Sequence, residues 1–236
     1  TTAVAKASSF ATSSQRPFGW AAAVDAIWSK RRGVKRSSSI SFASTGSLYA
    51  LNLKGGTFDI AGGVAMGAAF DKVTLDSTGD IRLIGVQPVD KTFAVSEQVT
   101  PSLSGGIVVV GDLTMRAAQI YATTGTGNLQ QLMDDATAKP SPFTIASLGG
   151  LSSNGVVIGK PNATIRFERS TLATPTAPLS AGSYVSVLAP NIEQAGVLRA
   201  PLGRLDLGSS AGTNVFVGQA VLPVKTMNVT LEDGSL

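Results

Sequence analysis

The most constraining feature of this sequence is a set of three short apolar pairs that recur at a constant spacing of about 20 residues, namely Ile165/Phe167, Val185/Val187 and Leu205/Leu207. Within each pair one residue separates the two apolar side chains, so both point to the same face of a β-strand. A period of about 20 residues is too short for a helical hairpin repeat but fits one turn of a β-solenoid. The spacing therefore predicts an all-β fold, a parallel β-helix in which like side chains stack and Leu205 faces inward.

The same apolar-x-apolar form recurs along most of the chain, as in Ile40/Phe42, Leu51/Leu53, Phe58/Ile60, Val73/Leu75, Ile81/Leu83, Ile107/Val109, Leu113/Met115, Phe143/Ile145, Val156/Ile158, Val215/Val217 and Val229/Leu231. Glycines stand between these pairs and suit the corners of a solenoid, because glycine accepts the backbone angles of tight turns. We therefore predict one β-helix over residues 37–236 with about eight to ten turns. Irregular insertions are expected near residues 86–105, 128–142 and 169–178.

Residues 1–36 have a different character. Residues 1–15 are mostly Ala, Ser and Thr without a strand pattern, and we expect a lead-in there. Apolar residues then fall at helical spacing, and they are Trp20, Val24, Ile27 and Trp28. This spacing predicts a short amphipathic helix over about 18–32, which we expect to cap the open end of the β-helix.

The positive charge of the chain is concentrated at the same end. Residues 1–36 carry a net charge of +6, whereas the rest of the chain carries −2. The candidate anion-binding residues are Lys30, Arg31, Arg32, Lys35 and Arg36. Such a run suits sulfated polysaccharide, lipid headgroups or nucleic acid. The alternative interpretation is a solvated helix end and linker, which we favour.

The composition narrows the chemistry that is available. The chain has no Cys and no His, which removes disulfides, thiolate metal sites and the commonest general base. Adjacent acids occur at Asp134-Asp135 and Glu232-Asp233, and both pairs are interpreted as solvated loop charges. No apolar run approaches the length of a membrane-spanning helix. We therefore predict a protein that is not an enzyme and has no cofactor, metal or catalytic residues.

Several phrases in the sequence resemble the repeat of filamentous haemagglutinin-type exoproteins of bacterial two-partner secretion. The most specific is Gly196-Val-Leu-Arg-Ala-Pro-Leu-Gly203, followed by Arg204-Leu-Asp-Leu-Gly208. Gly111-Asp-Leu-Thr-Met-Arg-Ala-Ala-Gln-Ile120 resembles the same repeat. The resemblance covers roughly residues 39–232. It implies a right-handed parallel β-helix shaft that is secreted or displayed on the bacterial cell surface.

The resemblance also implies partners and a role. The partners would be an outer-membrane transporter and glycans or proteins on host or neighbouring cells, with no nucleic acid expected. The role would be adhesion, biofilm formation or toxin display. The secretion domain of that family carries Asn-Pro-Asn motifs, which are absent here, so the chain is expected to be a shaft segment cut from a longer protein.

Two alternatives stay open. One is a β-helix enzyme that acts on polysaccharide, and the other is the shaft of a contact-dependent toxin delivery protein. An enzyme should show a cleft on one sheet lined by at least two carboxylates and a cation. A shaft should show a smooth and weakly charged side.

Overall fold

A computed structural model describes residues 2–5, 27–29, 39–45, 48–66, 70–86, 105–127, 142–148, 151–153, 156–158, 162–210, 213–217 and 220–236. Every regular element among these residues is a β-strand. The all-β class predicted from the alternation is therefore confirmed. None of the described residues forms a helix long and apolar enough to cross a membrane.

The strands, in chain order, are β1 (Thr2–Ala5), β2 (Ile27–Ser29), β3 (Ser39–Thr45), β4 (Leu48–Gly55), β5 (Thr57–Ala61), β6 (Gly63–Ala65), β7 (Phe70–Ser77), β8 (Ile81–Ile84), β9 (Gly106–Val109), β10 (Asp112–Ala117), β11 (Ile120–Ala122), β12 (Phe143–Ser147), β13 (Leu151–Ser153), β14 (Val156–Ile158), β15 (Thr164–Arg169), β16 (Tyr184–Leu188), β17 (Asn191–Gln194), β18 (Leu198–Arg199), β19 (Arg204–Leu207), β20 (Thr213–Val217), β21 (Ala220–Val224) and β22 (Asn228–Leu231).

Most of these strands belong to three sheets in which neighbours run parallel. Sheet A has the order β18-β11-β8-β5-β1-β2, sheet B has β22-β17-β15-β10-β7-β4-β3, and sheet C has β19-β16-β12-β9-β6. Only the outermost pairs β1–β2 and β3–β4 are antiparallel within these sheets. The chain passes from sheet B to sheet A to sheet C and back again, first as β4, β5 and β6, then as β7, β8 and β9, then as β10, β11 and β12.

The core lies between the three sheets and contains most of the predicted apolar pairs, together with further apolar residues such as Ile120, Ile192 and Leu198. In sheet B one column of paired residues is formed by Val73, Leu113, Ile165 and Ile192, all of them at most 1% exposed. In these four strands the residues that follow the column, Thr74, Thr114, Arg166 and Glu193, are polar and partly exposed. Parallel pairing in register brings like aliphatic groups together, which explains why the alternation predicts the inward face correctly.

The predicted period is correct at one step and wrong at the other. Val185 and Val187 pair with Leu205 and Leu207 in sheet C, as the spacing predicts. Phe167, with its neighbour Ile165, lies instead in sheet B. The physical reason is that the chain between β15 and β16 passes sheet A without forming a strand there. The pairs Ile165/Phe167 and Val185/Val187 are therefore 20 residues apart but lie in different sheets.

Several predicted strands pair differently from the expectation. Val156/Ile158 and Val215/Val217 lie in the two-stranded antiparallel hairpins β13–β14 and β20–β21, outside the three large sheets. Among the described residues the longest sheet has seven strands. In sheet B the chain that separates the partners Leu113 and Ile165 is more than twice as long as the chain that separates Leu51 and Val73. The chain between paired strands is therefore longer in places than the 20-residue period predicts, which leaves fewer residues for further turns.

The predicted N-terminal helix is not observed. Within the range 18–32 the structure describes Ile27–Ser29, which form strand β2 and pair antiparallel with β1. The rest of that range lies outside the described residues. Thr2–Ala5, expected to be an irregular lead-in, pair in parallel with β5. An open sheet edge supplies backbone hydrogen bonds at once, whereas a short helix is marginal unless its apolar face is packed.

Of the three predicted insertions, the one near residues 169–178 lies within the described part of the chain. Residues 87–104 and 128–141 lie outside the described residues, so those two predictions stay predictions. Residues 170–182 are described and contain no strand. Their position over sheet A is important for the candidate site.

The sheets pack so closely at some corners that a side chain would not fit. A Cβ atom on Gly111 would collide with the main-chain carbonyl of Asp71, and one on Gly203 with that of Ser183. Gly111 sits directly before β10, where the chain enters sheet B. These glycines therefore allow adjacent levels of the stack to approach each other.

The C-terminal edge of the stack is open among the described residues. Strands β19 and β22 are the last members of sheets C and B. Leu205 is 36% exposed, Val229 45% and Leu231 65%. Leu205 pairs in register with the fully buried Val185, so it lies on the predicted inward face. It remains partly exposed because no further strand among the described residues covers β19.

Candidate functional site

The sequence-predicted site cannot be placed. Lys30, Arg31, Arg32, Lys35 and Arg36 lie outside the described residues, and their role in anion binding stays a prediction. Of the two acidic pairs, Asp134-Asp135 also lies outside them. Glu232 is described and makes an ion pair with Arg166 at 3.0 Å.

The outward residues of sheet A form a polar column that sequence reasoning missed. Asp59, Arg82, Tyr121 and Arg199 occupy in-register positions on β5, β8, β11 and β18. Neighbouring parallel strands are about 4.8 Å apart, so these four side chains emerge as one row across the sheet. Each follows an inward apolar residue in the sequence, which is why it points outward.

At one end of this column, Arg82 and Asp59 form a bidentate ion pair. Arg82 donates from Nε to Oδ1 of Asp59 and from Nη2 to Oδ2, both at 2.6 Å. The Asp59 side chain is only 8% exposed, whereas Arg82 remains 38% exposed. Two parallel hydrogen bonds to a shielded carboxylate hold both groups in a fixed geometry. This hydrogen bonding also raises the pKa of Arg82.

The other end of the column is less neutralised. Arg199 donates to the main-chain oxygen of Pro175 at 3.3 Å, and no carboxylate of the described residues pairs with it. Tyr121 stands between Arg82 and Arg199. Burial raises the pKa of Tyr121, and the charge of Asp80 raises it further, while Arg82 opposes them. The phenol therefore stays protonated at neutral pH.

The strand-free segment 170–182 forms a wall beside this end. Gln119 donates from Nε2 to the main-chain oxygen of Thr176 at 3.2 Å and to Oδ2 of Asp80 at 3.3 Å. Ser180 donates to the main-chain oxygen of Ala122 at 2.6 Å. The segment is thus attached to sheet A at several points, and β18 pairs directly with β11 beneath it. These contacts place the wall beside the outward face of sheet A, and the corner between them, which holds Tyr121, Arg199 and Asp80, is named here the recess.

Sheet B carries charges that are paired along its outer face. Asp76 accepts from Arg116 at 2.9 Å and lies 3.7 Å from Lys54. Arg166 contacts Glu193, Glu168 at 2.8 Å and Glu232 at 3.0 Å. Most of these contacts join neighbouring strands, so they link successive levels of the stack. Because the charges are paired and partly exposed, each contributes little to stability and leaves a weakly charged surface.

On sheet C, Tyr184 and Arg204 are also in register, and both donate hydrogen bonds to the carboxylate of Asp206. The Arg204 guanidinium lies 5.1 Å from the centre of the Tyr184 ring. Asp206 accepts from the Tyr184 hydroxyl at 2.7 Å and from Nε of Arg204 at 2.9 Å. Burial acts to raise the pKa of Asp206, but the hydrogen bonds from Arg204 and Tyr184 outweigh it and hold that pKa below its usual value. Burial and Asp206 raise the pKa of Tyr184. All three groups therefore have partners.

Among the described residues, no group of three or more Asp or Glu side chains is placed to hold an ion. A shallow cavity of about 360 Å³ lies at the open C-terminal edge beside Leu207, Thr226 and Met227. It lacks titratable side chains.

Comparisons with protein-family models, with curated proteins and with solved structures found no match to this chain. The geometry of the molecule must therefore carry the functional argument.

A sequence signal for the sheet A column did exist. Asp59 and Arg82 are the middle residues of two predicted apolar pairs, so their outward direction could be predicted. Their association did not follow, because Asp59 and Arg82 are 23 residues apart, which differs from the period of about 20, and a far longer stretch of chain separates Tyr121 from Arg199. Only the strand register brings the four side chains of the column together.

Proposed function

We propose that the described sheets form a parallel β-helix, right-handed as the resemblance implies, and that it serves as a structural and adhesive shaft. The observation that carries the proposal is the repeated passage of the chain through sheets B, A and C with parallel, in-register pairing. Such a stack satisfies its backbone hydrogen bonds between successive levels. Seven strands in sheet B correspond to about 30 Å along the stack at the usual strand spacing.

The outer surface supports a role that depends on shape and surface. On sheet B, acidic and basic side chains of the outer face pair with one another, which leaves little unpaired charge at these positions. With this role go a secreted or cell-surface location, export through an outer-membrane transporter, and recognition of glycans or proteins on other cells.

Bead adhesion tests the proposal. Microspheres coated with the full chain should bind cultured epithelial cells or a bacterial biofilm several-fold more than microspheres coated with the Leu113→Asp chain. Leu113 is fully buried, so a carboxylate there should disrupt the stack. Solution scattering of the uncoated chain should show an elongated particle. Equal adhesion of the two bead types, or a compact particle, would contradict the proposal.

A polysaccharide-active β-helix enzyme is a second candidate, favoured by one specific observation. Asp59, Asp80 and Arg82 place two carboxylates and a cation beside one sheet, which is the arrangement expected of such an enzyme. Against it, Asp59 is nearly buried and accepts two hydrogen bonds from Arg82, so it is poorly suited to proton transfer. Release of new reducing ends from an acidic polysaccharide, lost in Asp80→Asn, would support the enzyme.

A further inference from the structure

Among the described residues, Tyr121 and Arg199 on sheet A differ from Tyr184 and Arg204 on sheet C in one respect that points to a ligand. On sheet C, Arg204 and Tyr184 share the carboxylate of Asp206. On sheet A, Arg199 is in register with Tyr121, and its described hydrogen-bond partner is a neutral main-chain oxygen. A neutral carbonyl orients the guanidinium without cancelling its charge.

We infer that the recess formed by Tyr121, Arg199, Asp80 and the wall at residues 174–178 binds an acidic saccharide. The inference rests on the proposed adhesive function and names the partner chemistry of one of its surfaces. It concerns sheet A and is separate from the basic run near the N-terminus.

The chemistry of the recess suits that ligand class. Arg199 presents a planar donor surface that matches a carboxylate or a sulfate. Tyr121 offers an aromatic ring with one apolar body and one polar tip, against which a sugar ring can pack. The carboxylate of Asp80 accepts hydrogen bonds, and sugar hydroxyls donate them. A ligand that combines an anionic group with several hydroxyls uses all three.

The recess is also held in place before any ligand arrives. Gln119 is only 5% exposed and bridges Asp80 to the main chain at Thr176. Arg199 fixes the same wall through Pro175. Because the wall and the sheet are already attached, little ordering has to accompany binding, which favours affinity.

Calorimetric titration with a uronic-acid oligosaccharide tests the inference. The chain used should carry Ser at positions 30, 31, 32, 35 and 36, so that the basic run cannot contribute. We expect binding, at least tenfold weaker in Arg199→Gln because a charge-assisted contact is lost. Tyr121→Ala should weaken it as well, and the carboxyl-reduced, neutral oligosaccharide should bind more weakly than the acidic one.

The matched control is Arg204→Gln, which removes the same charge from beside Tyr184 on sheet C and should leave the affinity unchanged. Thermal unfolding of each variant separates loss of the recess from loss of the fold. No binding by the parent chain, or equal weakening by Arg199→Gln and Arg204→Gln, would overturn the inference.

Bead adhesion measured on the same variants separates this inference from the proposed function. Adhesion of the parent without dependence of saccharide affinity on Arg199 would leave the shaft function standing and reject the recess. Saccharide binding that depends on Arg199, without adhesion, would reject the shaft function and leave the recess standing.

Discussion

The inner levels of the stack and its C-terminal edge use the same sequence pattern but reach different burial. Leu113 and Ile165 are completely buried, whereas Val229 and Leu231 are 45% and 65% exposed, although all four belong to sheet B. Among the described strands, the inner ones have neighbours on both sides, whereas β22 has a neighbour on one side. Burial in this fold therefore depends on neighbouring strands as much as on a strand's own alternation.

The largest expected effect is the difference between a Leu→Ala substitution at an inner level of the stack and one at its C-terminal edge. Leu113→Ala should lower the free energy of unfolding by about 2–5 kcal/mol, because it leaves a cavity in the core. Leu231→Ala should change it by about 0.5 kcal/mol or less, because that side chain is largely solvated. Chemical denaturation of both variants measures the difference. Equal costs would mean that the edge is covered in solution.

The next effect concerns close approach between levels. Gly111→Ala should cost about 1–3 kcal/mol, because its Cβ would collide with the main chain at Asp71 and force the strands apart. The matched control is Gly63→Ala in β6, where a Cβ atom would meet nothing within 4 Å. Thermal unfolding compares the two. A neutral Gly111→Ala variant would argue against the tight corner.

A smaller effect is expected at Leu205, which lies between the two extremes at 36% exposure. Leu205→Ala should cost about 1 kcal/mol, because only part of the side chain leaves a packed environment. The measurement is again equilibrium unfolding. A loss as large as that at Leu113 would indicate that an additional strand covers β19.

The smallest effect is a pH dependence located at the same edge strand. The pKa of Asp206 is lower in the folded chain than in the unfolded one, so the folded state is stabilised above the unfolded value of about 4. That stability is lost as the pH falls through the lower, folded pKa. Asp206→Asn should therefore remove part of the acid sensitivity, seen as a flatter dependence of the melting temperature on pH below about 4. An unchanged profile would mean that other carboxylates dominate.

The sheet A column illustrates how far the sequence could be used to predict a site. The outward direction of Arg82 follows from its place between Ile81 and Leu83. The contact of Arg82 with Asp59 does not follow from any local pattern. Main-chain hydrogen bonds between strands are the same for every residue type, so they carry no information on which strands pair.

In the N-terminal region the local sequence pattern predicted the wrong secondary structure. A helical spacing of apolar residues predicts a helix that includes Ile27 and Trp28, and those residues are found in strand β2. Isoleucine and tryptophan are both compatible with a strand. The outcome depends on whether a sheet edge is within reach, and that is a property of the assembled molecule.

For the segments that carry an apolar-x-apolar pair, the sequence by itself determined that they are strands and which side of each is apolar, because alternation is a local steric property of the extended chain. Only the tertiary structure decided which strands become neighbours, how much chain lies between them, and which strands of the described residues lie at an edge. Those properties depend on contacts between residues as far apart as Ile120 and Leu198, for which no local rule exists.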